Sequence, residues 1–428
     1  MSRKRSLWKF GFTMLLLAII IIAAGGSVET ARSAQVDPAY IALTWSDDPK
    51  TTQAITWQTT DPALDQIQYI LAGVGNDFSV TGKTIPAERE YIPDNGDTMA
   101  VYSARLTGLK PGTRYSYRIG NGETWSEVHF FKTAAENVTQ FKFLVFGDSQ
   151  STAYDTWHKT LQRAYQAHPE AAFFTNVGDL VDVGQNVKEW QDWFAASQGV
   201  IDTIPAMPLT GNHEMYTPVW KVNAPPALFT AQFQLPRNGP EGLKEQVYSF
   251  DYGNVHFVML DSQEREEKQF IPDMLDKQRE WLEQDLARTD KPWKLVFLHR
   301  PPYHSKSATS NDRIREAFVP LLDKYHADMV FSGHEHVYAR TYPLSAGSIA
   351  SQGTVYITTG RSGTKYYNQA EANGWDEVFY NPIDQPNYLT VQVNGDTLAV
   401  KAWRQDGELI DEWHVDKSDP VRLGMAAN

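Results

Sequence analysis

The 428-residue chain contains no cysteine. That excludes disulfides, iron–sulfur clusters and thiolate zinc sites, so any metal here is held by nitrogen and oxygen alone. Positive charge is also scarce, with 39 Lys and Arg against 52 Asp and Glu. Five of the basic residues and one acid fall in residues 1–34, leaving 34 basic and 51 acidic residues beyond them and a net charge of −17. No nucleic acid polymer is expected as a partner of such a chain, and a small anionic substrate would need local positive charge, which bound metal can supply. Long apolar runs are missing except at residues 12–24, which follow Arg3, Lys4, Arg5 and Lys9. That run is shorter than the roughly 20 residues of a membrane span. Residues 1–34 read as a secretory signal peptide or, uncleaved, as a membrane anchor, which places the protein in a secreted or extracytoplasmic cell-surface compartment. No cysteine follows the run, so it is not a lipoprotein signal. Internal repeats and low-complexity segments are absent.

The length calls for two or three domains. Residues 35–135 read as all-β. Residues 41–45, 54–57, 67–71, 100–106 and 114–119 alternate apolar with polar and are separated by turn residues such as Asp47, Asp48 and Pro49. Many short strands at this spacing predict a β-sandwich. Residues 106–118, from Leu106 through Gly108, Pro111 and Tyr115 to Arg118, resemble the strand–turn–strand signature of fibronectin type III domains. From residue 138 to 416 buried-type strands alternate with helical segments, which predicts a layered α/β domain. Residues 417–428 read as a tail.

The chemistry collects where apolar runs end. Residues 141–146 lead to Gly147 and Asp148, residues 171–175 to Gly178 and Asp179, and residues 207–209 to Gly211, Asn212, His213 and Glu214. Residues 293–298 lead to His299, and residues 327–331 to Gly333, His334, Glu335 and His336. In open α/β sheets ligands bind beyond the carboxyl ends of the strands. Taken singly, Asp148 and Asp179 read equally well as helix caps, Asn212 as a turn residue and His299 as a core histidine. Together, two carboxylates, an amide and three imidazoles at successive strand ends make a nitrogen and oxygen ligand set for first-row metals.

This motif order resembles the calcineurin-like metallophosphoesterases. The N-terminal sandwich and the run His334 to Arg340 narrow the resemblance to the purple acid phosphatases. It implies a four-layer α/β/β/α sandwich preceded by an all-β fibronectin type III-like sandwich. It further implies an exported phosphatase that hydrolyses phosphomonoesters by attack of a hydroxide bridging two divalent or trivalent metal ions, Fe, Mn or Zn. A phosphodiesterase or nucleotidase with the same centre, and a non-catalytic surface-binding protein with a decayed one, stand as alternatives. On this resemblance Asp179 bridges the metals, Asp148 and His336 bind the first, and Asn212, His299 and His334 bind the second. His213 acts beside the substrate phosphate, which Asn212 also contacts, and Glu214 supports the ligands. The chain departs from the pattern twice. The broader family has histidine where Gln150 stands, and purple acid phosphatases have a metal-binding tyrosine where Asp182 stands. Gln150 and Asp182 are therefore both candidates to complete the first metal site, and no tyrosinate colour is expected. His304 is a further candidate for contact with a small phosphate-ester substrate, in a loop that also offers Lys306.

Overall fold

The computed structural model describes residues 38–59, 63–73, 77–94, 97–304 and 311–418. The apolar run at 12–24, Lys306 and the tail beyond 418 lie outside them. No helix among the described residues is long and apolar enough to cross a membrane.

Two four-stranded antiparallel sheets form the N-terminal sandwich. One holds Ala39–Thr44, Gln53–Gln58, Asp97–Leu106 and Glu88–Asp94, and the other holds Lys83–Pro86, Gln66–Leu71, Arg114–Gly120 and His129–Lys132. Alternate residues of both sheets, among them Ile55, Trp57, Ile67, Tyr102, Tyr117 and Phe131, form its core. Trp45 does not join that core. It stacks on Tyr252 (5.4 Å between ring centroids) and meets Phe173 edge-on (5.4 Å), so the first strand delivers its last aromatic into the larger domain. Backbone bonds from Leu43 N–H to the Ile201 carbonyl (2.9 Å) and from Ala206 N–H to the Leu43 carbonyl (2.8 Å) extend the same junction.

The larger domain pairs two sheets. The five-stranded sheet runs Phe174–Asn176, Gln140–Phe146, Asn387–Asn394, Thr397–Arg404 and Leu409–Asp416. The seven-stranded sheet runs Tyr248–Tyr252, Val255–Leu260, Trp293–Leu298, Met329–Ser332, Val355–Thr359, Tyr338–Thr341 and Asp376–Tyr380. Strand periodicity sorts the side chains into layers. Phe257, Phe297 and Phe331 point between the sheets; Phe257 and Phe297 meet Phe143 of the facing sheet (5.3 and 6.5 Å), and Phe331 stacks on Phe297 (4.9 Å). Val258, Leu260, Val296 and Val330 point the other way, onto helices Met274–Arg288 and Asp312–Lys324. On the opposite outer face Phe146 packs edge-on against Trp157 of helix Asp155–Ala167 (5.1 Å), and Trp157 stacks on Trp193 of helix Val187–Ser197. The order is helix, sheet, sheet, helix. The strands carrying the motif residues are parallel, Gln140–Phe146 with Phe174–Asn176 in one sheet and Trp293–Leu298 with Met329–Ser332 in the other, so their carboxyl ends open in one direction.

Candidate metal centre

At that rim the structure brings Asp148, Asp179, His299, His334 and His336 together. Ligand atoms of Asp179, His299 and His334 lie within 4.8 Å of one another, as do those of Asp148, Asp179 and His336. The Asp179 carboxylate belongs to both groups. Its Oδ2 is 3.1 Å from His299 Nε2, Asp148 Oδ2 is 2.8 Å from His336 Nε2, and His334 Nδ1 is 3.3 Å from His299 Nε2.

The loops are shaped for this convergence. Asp179, His334 and His336 sit at φ of +53°, +69° and +55°, a left-handed backbone that costs non-glycine residues energy and tends to persist at functional sites. A Cβ on Gly211 would lie 2.1 Å from Asp179 Oδ1, and one on Gly333 would lie 2.5 Å from Asp148 Oδ1, so both positions need glycine for the carboxylates to come so close. Glu214 is fully buried and accepts backbone N–H bonds from Gly211 (2.6 Å), Asp179 (2.9 Å) and Leu180 (2.9 Å), fixing the bridging loop from behind.

Three observations test whether this set suits a metal. The Oδ1 of Asn212 is buried without a hydrogen-bond partner among the described residues, as an oxygen ligand would be. His299 Nδ1 lies 2.8 Å from the Val177 carbonyl, an acceptor only, so Nδ1 carries a proton and Nε2 is the nitrogen turned to the centre. Charge is strongly polarised there. Burial opposes ionisation of Asp179, but the His299, His213 and His334 imidazoles outweigh it and hold its carboxyl well below the usual range. Burial likewise opposes a proton on His299, yet Asp179 raises it to about 9. A pocket that favours extra positive charge this strongly, with only nitrogen and oxygen donors, fits two cations.

Gln150 and Asp182 turn elsewhere. With its amide nitrogen donating to the Asp179 carbonyl (3.2 Å), the Gln150 carbonyl oxygen accepts from Lys365 Nζ at 3.0 Å and lies 3.1 Å from His213 Nε2. The Asp182 carboxylate lies 3.3 Å from His213 Nδ1 and 3.8 Å from Lys365 Nζ, and it belongs to neither ligand group. His213 Nδ1 donates to the Asp182 carbonyl (2.6 Å), and its Nε2 lies 2.9 Å from Lys365 Nζ. His304 is buried, with Nδ1 3.8 Å from the Glu335 carboxylate and its carbonyl held by Asn373.

Sequence reasoning missed the loop beyond Val355–Thr359. Asp148 bridges to Arg361, its carbonyl accepts from the N–H groups of Ser362 and Gly363 (2.9 Å each), Lys365 reaches His213, and the Tyr367 ring lies 4.7 Å from that of His336. The signal was available, since Gly360 follows a buried apolar run just as Gly147 and Gly333 do.

Comparison with known proteins places these features in context. Residues 141–338 match the calcineurin-like phosphoesterase family, and residues 38–133 match the purple acid phosphatase N-terminal domain. Acid phosphatase type 7 of Mus musculus is 27% identical over 420 residues, covering 88% of this chain and 90% of its own. Purple acid phosphatase 15 of Arabidopsis thaliana is 27% identical over 298 residues, covering 62% of this chain and 54% of its own length. The solved structure of purple acid phosphatase PPD1 from yellow lupin seeds superposes with a TM-score of 0.72 at 18% identity, over 89% of this chain and 74% of that one, and shares its fold.

Proposed function

The chain carries a calcineurin-like phosphoesterase domain behind a purple acid phosphatase N-terminal domain, the equipment of a phosphoric ester hydrolase, and from that premise we propose an exported metal-dependent phosphomonoesterase. Export rests on the basic residues and apolar run of the first 34 positions. The boundaries proposed are a sandwich at 35–135 and a catalytic domain at 138–416.

The single observation that carries the reading is one carboxylate, Asp179, common to two ligand groups. Asp148 and His336 would hold one cation, His299, His334 and Asn212 the other, and Asp179 both. Bound there, two cations supply Lewis acidity and an activated water nucleophile at neutral pH. The protein's own part is positional. Gly211, Gly333 and Glu214 fix the two aspartates, and the Val177 carbonyl fixes the His299 tautomer. His213, with its Nδ1 proton held by the Asp182 carbonyl, presents Nε2 at the edge of the centre, 3.9 Å from Asp179 Oδ2, where a phosphoryl leaving group would sit. Phosphoryl transfer asks for positioning and charge stabilisation rather than a protein nucleophile, so a cysteine-free chain is adequate.

Replacing Asp179 by Asn in metal-replete protein is expected to lower p-nitrophenyl phosphate hydrolysis by at least about a thousandfold, because both cations lose a shared charged ligand. Full activity in that variant would sink the proposal.

A further inference from the structure

Among the described residues, the loops at the strand ends leave one cationic side chain facing the centre. The two arginines that adjoin those loops are engaged elsewhere. Arg300 pairs with Glu266 at 2.9 Å, and Arg361 donates to the carbonyls of Gly363 (2.6 Å) and Pro382 (2.8 Å). Lys365 instead extends from the sixth loop to His213 Nε2 (2.9 Å) and the Gln150 carbonyl oxygen (3.0 Å). Neither partner carries a negative charge. The one carboxylate paired with it among the described residues, Asp182, stands 3.8 Å away, so the ammonium charge is only partly offset. The side chain is 35% exposed, at the open side of the buried ligand cluster, where an arriving substrate would meet it.

We infer that Lys365 is the specificity-determining cation of the substrate site, contacting the phosphoryl oxygen that a phosphomonoester leaves ionised and a phosphodiester has esterified. This rests on the phosphatase reading above. The chemistry follows from charge. A monoester phosphoryl group carries up to two negative charges and a diester one. A fixed ammonium beside His213 forms a charge-assisted hydrogen bond with an oxygen that only the monoester, or inorganic phosphate, presents as an anion. Its two partners carry no negative charge, so they hold Nζ in place without neutralising it, and displacing either one on substrate binding leaves the other as a tether.

The test uses the full-length metal-loaded protein with Lys365→Met and Lys365→Arg. Three quantities are measured: kcat/KM on p-nitrophenyl phosphate and on bis-p-nitrophenyl phosphate, the affinity for inorganic phosphate by calorimetry, and the metal content. In Lys365→Met the monoester-to-diester ratio should fall about 10- to 100-fold, the worth of one charge-assisted hydrogen bond. Phosphate should bind more weakly by a similar factor with metal content unchanged, and Lys365→Arg should restore most of the ratio. Rates on both esters that drop in parallel, or an unaltered phosphate affinity, would overturn the assignment while the phosphatase reading stands. A wild-type holoprotein that hydrolyses neither ester would remove that reading and the assignment with it.

Discussion

Away from the metal centre, His256 makes the stability of this protein depend on pH in a window that can be calculated. It lies on strand Val255–Leu260 with its side chain 8% exposed, Nδ1 2.7 Å from Asp251 Oδ1 and Nε2 2.8 Å from Asp285 Oδ2. Asp251 comes from the paired strand and Asp285 from helix Met274–Arg288, while Lys291 approaches the far oxygen of Asp251 at 3.7 Å. Burial opposes the charged imidazole, but the two carboxylates outweigh it and raise His256 from 6.5 to about 9. The folded protein therefore binds this proton more tightly than the unfolded chain. The stabilisation is fully present below pH 6.5, and it is lost as pH rises through about 9. At about 1.4 kcal/mol per unit the shift corresponds to roughly 3 kcal/mol. Urea unfolding of wild type and His256→Gln across pH 6 to 10 isolates the effect, because other titrating groups are common to both proteins and cancel in the difference. The wild-type advantage should shrink by about 3 kcal/mol between pH 6 and pH 10. A difference that stays flat over that range would show that the two carboxylates do not hold a proton on His256, and the reasoning would fail.

Two further predictions follow from close contacts. Gly333→Ala places a Cβ 2.5 Å from Asp148 Oδ1, so Asp148 must move although no ligand has been changed. Metal affinity should fall about tenfold or more, read as metal retained after dialysis against a graded chelator series, and retention equal to wild type would refute it. Asp411→Asn strips the main partner from Arg340, whose Nε lies 2.7 Å from Asp411 Oδ2 with side chains only 5% and 10% exposed. The loss of a buried partner should cost about 3 kcal/mol of unfolding free energy in chemical denaturation, and an unchanged midpoint would contradict it.

Much of the architecture could be read in advance where one physical signal dominated. Helix Val187–Ser197 announced itself through Trp190, Trp193 and Phe194 at helical spacing, with the Asn186 side chain capping Lys188 N–H at 3.1 Å. The five loops that converge at the rim were legible because each follows a mostly buried apolar run. The misses share a different cause. Strand Leu409–Asp416 is an edge strand with no fully buried residue, so its alternation is blurred, and Asp376–Tyr380 is half-exposed along its length. Trp45 alternates like its neighbours and reads as sandwich core, yet the strand's position at the domain junction turns it onto Phe173 and Tyr252. No local pattern reveals that Lys365 meets His213, because 152 residues separate them and only the sheet order brings their loops together.

Gln150 and Asp182, the two positions singled out as departures on the family resemblance, belong to a single arrangement. Each is set against Lys365, one through an amide oxygen at 3.0 Å and the other through a carboxylate at 3.8 Å. An ammonium can be held at that point only by acceptors. A tyrosine in place of Asp182 would remove the only carboxylate near Lys365 Nζ among the described residues. The amide and the carboxylate therefore suit the cation, and the cation in turn gives both residues a partner away from the metal ligands. What reads along the sequence as two separate departures is, in three dimensions, one polar triad beside His213, with its positive charge at the position proposed above for substrate entry.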